Sequence, residues 1–316
     1  SDEEIAQQRI QNSITAIAKK KAEEKQKTEA QASKANALNN ENVDTTAIFY
    51  KSLSGNAQNI ILKNSKLELT LNTKGGSVEK AVIKNFKDNK GNKDLTLFDG
   101  KDQSIKFMLE GKETNIITSD LFFTPSNITD STVTMTAYGS NGRSLVMDYK
   151  LGKDYLLHFS LKANGMSGLF SPSYNRLAIE WTDHCRQQEK GFTFENRYAS
   201  LTYHFTDGGT DYINETSEKV DEKIEDAIDW VAFKNQFFSA VMIAKDDFGT
   251  NTLMTSIPQE KGSGYLKQYG AKVKTSFDPT GKNSTELEFY YGPTRAIKKT
   301  QCSLSVSHTV FCKMLL

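Results

Sequence analysis

Four histidines, three cysteines and an Asp183-His184-Cys185 cluster are the residues of this 316-residue chain whose types could move protons or attack an electrophile. General acid–base work needs a histidine beside a carboxylate in a cleft. His158 and His204 each sit within strand-like alternation, which predicts ordinary neighbours on one face of a sheet, and neither His184 nor His308 falls in a known catalytic spacing. Asp183-His184-Cys185 has the composition of an activated thiolate. Neighbours on a strand face opposite sides, however, so His184 and Cys185 diverge if the strand runs through them. Gly75-Gly76 follows a strand but lacks the third glycine and the helix of a phosphate-cradling loop; its physical content is a positive-φ turn between two strands. Cys185, Cys302 and Cys312 are too few and too irregular for a disulfide framework or a zinc site. No catalytic residue, metal or cofactor is expected.

The elements that hold these residues follow a two-residue rhythm. Lys66 to Leu71, Ile105 to Leu109 and Thr132 to Tyr138 alternate polar and apolar side chains, the pattern of half-buried strands. Ser144 to Lys150, Tyr155 to Leu161, Arg176 to Thr182, Phe192 to Phe205, Thr252 to Ile257, Ala271 to Phe277 and Thr285 to Tyr291 read the same way, and turn-forming Asn, Asp, Gly and Pro clusters punctuate them. Many short strands without alternating helices predict stacked antiparallel sheets, a mainly β protein, and argue against a parallel nucleotide-binding sheet. Charged Tyr212 to Asp229 reads as a short exposed helix or a loop. Trp230 to Lys245 is an aromatic-rich apolar block whose β content predicts a strand with an irregularity at Lys234-Asn235-Gln236, and core aromatics are its simplest role.

Residues 1–48 contain no aromatic, Gly, Pro or Cys, and carry seven basic and eight acidic residues, so they read as a charged helical or disordered tether. Residues 49–293 then form one large β domain, and 294–316 a tail of uncertain character in which Ser303 to Phe311 alternates like a strand. With 40 basic and 39 acidic residues and a net charge of +1, the chain has no dense positive field for nucleic acid or anionic lipid. No apolar run approaches the roughly 20 residues that cross a bilayer, so the chain as given reads as soluble; it starts with Ser and shows no signal peptide, so an upstream segment is expected to have been removed.

Three stretches together resemble the large periplasmic domain of YidC-type membrane protein insertases. They are Asn72, Thr73, Gly75, Gly76 and Val78 at an early turn; Trp230, Val231, Ala232, Gln236, Phe237 and Phe238 in the aromatic block; and Tyr290, Tyr291, Gly292 and Pro293 at the end of a late strand. The resemblance implies a β-supersandwich similar to galactose mutarotase, on the periplasmic face of the bacterial inner membrane. The tether would then follow a transmembrane helix absent here. It also implies a non-catalytic role, with contacts to the Sec machinery, particularly SecDF, and to nascent membrane proteins. The family's insertion groove lies in its membrane portion, so none of those working residues map onto this chain. After Pro293 the family continues into an amphipathic helix, whereas Thr294 to Leu316 has no such pattern.

Two rival readings stay open. A relative of the aldose epimerases would need His and Glu converging in a sheet cleft. A sugar-binding module would need aromatic platforms, for which Trp181, Tyr198 and Tyr203 are the candidates.

Overall fold

A computed structural model describes residues 47–89, 91–213 and 218–296. The chain divides into two units, Ser1–Tyr50 and Lys51–Leu316, and everything below concerns the second. The expected tether up to residue 46 and the tail from 297 onward, with His308, Cys302 and Cys312, lie outside the described residues.

Nineteen strands are described, in three sheets. The first four, β1 (Asn59–Lys63), β2 (Leu67–Asn72), β3 (Ser77–Lys87) and β4 (Asp94–Asp99), pair in sequence order as a small sheet. Next come β5 (Gln103–Glu110), β6 (Asn115–Ile117), β7 (Thr124–Ser126), β8 (Thr132–Tyr138), β9 (Ser144–Leu151), β10 (Leu156–Asn164) and β11 (Arg176–Arg186). Helix α1 (Phe192–Tyr198) leads into β12 (Ser200–Phe205), β13 (Thr210–Ile213), β14 (Val220–Ile224), β15 (Ile228–Lys234) and β16 (Phe238–Ala244). The last are β17 (Thr252–Pro258), β18 (Tyr265–Ser276) and β19 (Thr285–Pro293). A nine-stranded sheet runs β13-β12-β15-β16-β19-β10-β9-β8-β7, and a six-stranded sheet runs β14-β17-β18-β11-β5-β6. Every ladder pairing is antiparallel. The fold is mainly β, in stacked antiparallel sheets, as the alternation predicts.

The two large sheets meet face to face. Trp181 of β11 stacks on Phe233 of β15 with ring centroids 3.8 Å apart, and Phe107 of β5 stacks on Phe159 of β10 at 5.0 Å. Such rings contribute about 1.5 to 3 kcal/mol each on burial, with about 0.5 to 1.5 more per aromatic pair. Because side chains alternate, these contacts fix which residues point inward along both strands.

Three expectations change. The Trp230 block is a hairpin rather than one irregular strand: Asn235 Oδ1 accepts the N–H groups of Phe237 (2.9 Å) and Phe238 (2.7 Å), an Asx turn that folds β16 back on β15. Phe192 to Phe205 is not one strand, since its first half is α1 after Gly191. Buried Glu195 accepts the N–H groups of Gln188 and Glu189 and ties the helix to the preceding loop. The charged segment after Tyr212 contains strand, because β13 and β14 are edge strands, where solvent accommodates charge.

The glycine turn has the conformation expected of it, with φ +82° at Gly75 and +64° at Gly76 between β2 and β3. Asn72 Oδ1 accepts the Lys74 N–H (2.8 Å), Thr73 Oγ1 accepts that of Gln58 (2.8 Å), and buried Tyr149 donates its hydroxyl hydrogen to the Gly76 carbonyl at 2.5 Å, joining the small sheet to the nine-stranded one. A Cβ on Gly76 would lie 2.8 Å from Met147 Sδ and 3.2 Å from the Phe123 ring. Gly76→Val is therefore expected to destabilise the domain by about 2 to 4 kcal/mol, combining backbone strain with overpacking. Gly91→Ala, at φ +74° with nothing within 4 Å of its Cβ, should cost only about 1 to 2 kcal/mol. Equal urea midpoints for the two variants would refute this account.

Candidate functional site

The Trp181–Phe233 stack turns the odd-numbered residues of β11 inward, so Asp183 and Cys185 are buried while His184 faces outward. His184 and Cys185 do diverge. Burial, with the charges of Asp183 and Glu195 adding to it, pushes the Cys185 thiol well above its ordinary range, which keeps it protonated and unreactive. No group of three or more His, Cys, Asp or Glu residues suited to holding a metal occurs among the described residues.

Two histidines do find carboxylates, which alternation alone did not bring together. His158 Nδ1 lies 2.9 Å from Glu288 Oε1, and His204 Nδ1 lies 2.8 Å from Asp229 Oδ1. His204 is buried and stacks on Trp230, a packed position that substrate does not reach. His158 and Glu288 are register partners on β10 and β19 and line a cavity of about 470 Å³ on the outward face of the nine-stranded sheet. Around them Lys245 pairs with Glu286 (2.6 Å) and the Thr134 hydroxyl donates to Asp148 (2.6 Å). Acid–base catalysis needs a proton donor and an acceptor that both reach the substrate. Here the histidine and glutamate engage each other, as cross-strand polar pairs on a solvated sheet face do.

The aromatic platforms also part company. Trp181 and Tyr203 are buried in the core, and only Tyr198 is open to solvent. Tyr198 instead belongs to a groove of about 910 Å³ where the outer face of the nine-stranded sheet meets the end of the β3–β4 hairpin and α1. Four exposed aromatics line it: Phe86 (37% exposed), Tyr198 (46%), Tyr212 (54%) and Phe237 (40%). Leu95 and Phe238 add apolar wall, and Phe86 meets Phe238 edge to face at 5.3 Å. Polar groups sit among them at Lys87, Glu189, Lys234, Gln236 and Arg295.

Two of the three motif stretches converge there. Phe238 is the register partner of Pro293, Ser239 that of Gly292, and the Thr294 N–H donates to the Phe237 carbonyl at 2.7 Å, so Gln236, Phe237, Phe238 and Pro293 share one wall. Gly292 lets the Tyr155 ring close on β19, since a Cβ there would lie 2.6 Å from that ring. Trp230 is buried on β15 beside His204, and Asn72, Thr73, Gly75, Gly76 and Val78 form the turn described above, outside the groove. Sequence reasoning named Tyr198 only as an aromatic platform for a sugar, and it did not single out Phe86 or Tyr212 as binding residues.

The sequence matches the YidC periplasmic domain family over residues 59–302. The chain belongs to that family. It is 47% identical over 296 residues to the membrane protein insertase YidC of Phocaeicola vulgatus, a match covering 93% of this chain and 46% of that protein. The YidC of Bacteroides fragilis is 40% identical over 296 residues, with 93% of this chain and 47% of that protein covered. The chain thus spans about half the length of these relatives. Family membership assigns the domain to the periplasmic face of the inner membrane, and no helix among the described residues is long and apolar enough to cross a membrane. Among solved structures it is similar to a galactose mutarotase-like protein from Lactobacillus casei, at 12% identity and TM-score 0.46, covering 75% of this chain and 100% of that one. A putative aldose 1-epimerase from Escherichia coli K12 is similar at 8% identity and TM-score 0.43, with 75% and 99% covered.

The buried acid next to Cys185 yields a signed pH effect. Burial, reinforced by the nearby Asp102 charge, raises the Asp183 carboxyl well above the ordinary range, and its Oδ1 has no hydrogen-bond partner. The folded state then binds a proton that the unfolded chain releases near pH 4, so this residue lowers stability progressively as pH rises above about 4. Asp183→Asn is expected to raise the urea midpoint at pH 7.5 and to leave it nearly unchanged at pH 3.5. An equal shift at both values would rule out the titration.

Proposed function

We propose that this domain is a non-catalytic, partner-holding module of an insertase, supporting insertion and folding of inner-membrane proteins through contacts with nascent membrane proteins and with the Sec machinery, SecDF in particular. The aromatic groove carries the reading. Soluble surfaces rarely cluster large apolar side chains, and a concave cluster rimmed by polar groups marks a binding site for another chain. Phe86, Tyr198, Tyr212 and Phe237 come from four separate parts of the sequence to the same concavity.

In the full-length, membrane-anchored parent, a photo-crosslinking residue in place of Tyr198 is expected to capture SecDF or nascent chains. Phe237→Ser should cut that yield several-fold, with the Tm of the variant separating loss of fold from loss of binding. An undiminished yield would remove the groove from the function.

The His158–Glu288 pair motivates one competing reading, acid–base catalysis on a sugar. Polarimetry of glucose anomer interconversion is expected to run at the buffer rate with the domain present. Acceleration lost on Glu288→Gln would establish the epimerase reading instead.

A further inference from the structure

We infer that the aromatic groove takes its occupant as an α-helix, a segment of a partner protein whose apolar stripe is flanked by acidic side chains; this rests on the partner-holding reading above. The backbone around the groove has little left to offer a ligand. Asn235 Oδ1 holds the N–H groups of Phe237 and Phe238, the Asn235 N–H donates to the Phe238 carbonyl at 3.1 Å, and the Thr294 N–H donates to the Phe237 carbonyl. Strands β12, β15 and β16, whose ends reach the groove, are each paired on both sides. An extended peptide lying there would find no backbone partners for its own N–H and C=O groups once water is displaced. A helix brings those groups already paired.

The walls stand at helix width. Tyr212 lies on β13 and Phe237 at the turn between β15 and β16, so two to three strand spacings, about 10 to 14 Å, separate them across the sheet. A helix with its side chains is about 10 to 12 Å across, wide enough to meet aromatics on both sides. A single acyl chain is too thin for that, and it would cover Ser200, Thr202 and Gln236 without offering them a polar partner. Charge narrows the class further. Three of the four charged side chains lining the groove, Lys87, Lys234 and Arg295, are cationic, against Glu189. Lys87 is paired with Asp94 at 2.9 Å, but Arg295 is exposed and makes no ion pair among the described residues. Carboxylates beside the apolar stripe of the helix complement this rim.

The test titrates the 316-residue chain into fluorescein-labelled peptides of about 15 residues, read by anisotropy. The first is a hydrocarbon-stapled helix with a leucine stripe at helical spacing and glutamates on its flanks. It is expected to bind, at least tenfold more tightly than the same composition broken by central prolines and several-fold more tightly than a stapled peptide with lysine in place of glutamate. Phe237→Ser should weaken it several-fold, and Arg295→Glu should invert the preference between glutamate and lysine. Equal affinity for the stapled and proline-broken peptides would overturn the helical occupant, and a glutamate preference that Arg295→Glu leaves intact would overturn its acidic flanks. So would failure of every peptide to bind, or binding of phosphatidylglycerol vesicles by the chain that Phe237→Ser abolishes. The partner-holding reading fails separately, on the crosslinking yield at Tyr198 in the membrane-anchored parent. Urea midpoints of each variant separate loss of fold from loss of binding.

Discussion

The face-to-face stack of Trp181 on Phe233, centroids 3.8 Å apart, is the contact from which most of this architecture can be derived. A strand's side chains have no freedom to choose a face individually, so once one residue of β11 and one of β15 are committed to the interior, every other residue on both strands is assigned. On β11 that buries Asp183 and Cys185 and exposes Glu180 and His184 to the outer side. On β15 it sends Val231 inward with Phe233, and turns Trp230, Ala232 and Lys234 to the opposite face, where register carries the assignment on to Thr202 and Ser239. The groove is built on that opposite face. A slip of one residue in β15 would exchange its core face for its groove face.

The same parity decides where the chemically versatile side chains fall. The cluster that looked reactive is split by it, with the thiol in the core and the imidazole outside. The histidine and glutamate that do meet on the outer face are cross-strand partners fixed by register, and their neighbours in the cavity are already paired with each other.

The period-two rhythm made the sheets legible because alternation is a direct consequence of one-sided burial, and Ser144 to Lys150 or Thr285 to Tyr291 became strands within a residue or two of their expected limits. Misreadings arose where a local side chain decides the backbone. Asn235 bends the aromatic block through two N–H contacts that its hydrophobicity hides, and Glu195 fastens a short helix in a stretch whose aromatics suggest strand. Edge strands were missed for the converse reason: β13 and β14 carry charge because one side meets water, so they lack the pattern of a buried strand. The motif residues Gln236, Phe237 and Pro293, read from the sequence as structural, line one wall of the groove. Its other wall depends on Phe86 and Tyr212, over a hundred residues apart, and only the three-dimensional packing of the small sheet against the large one unites them.

Exposed aromatics cost a folded protein solubility and return nothing to its core, which makes their grouping informative. Tyr212 stands on an edge strand where protection from association would favour charge. Asp211, next to it, supplies that protection and occupies the Tyr212 N–H with its own carboxylate.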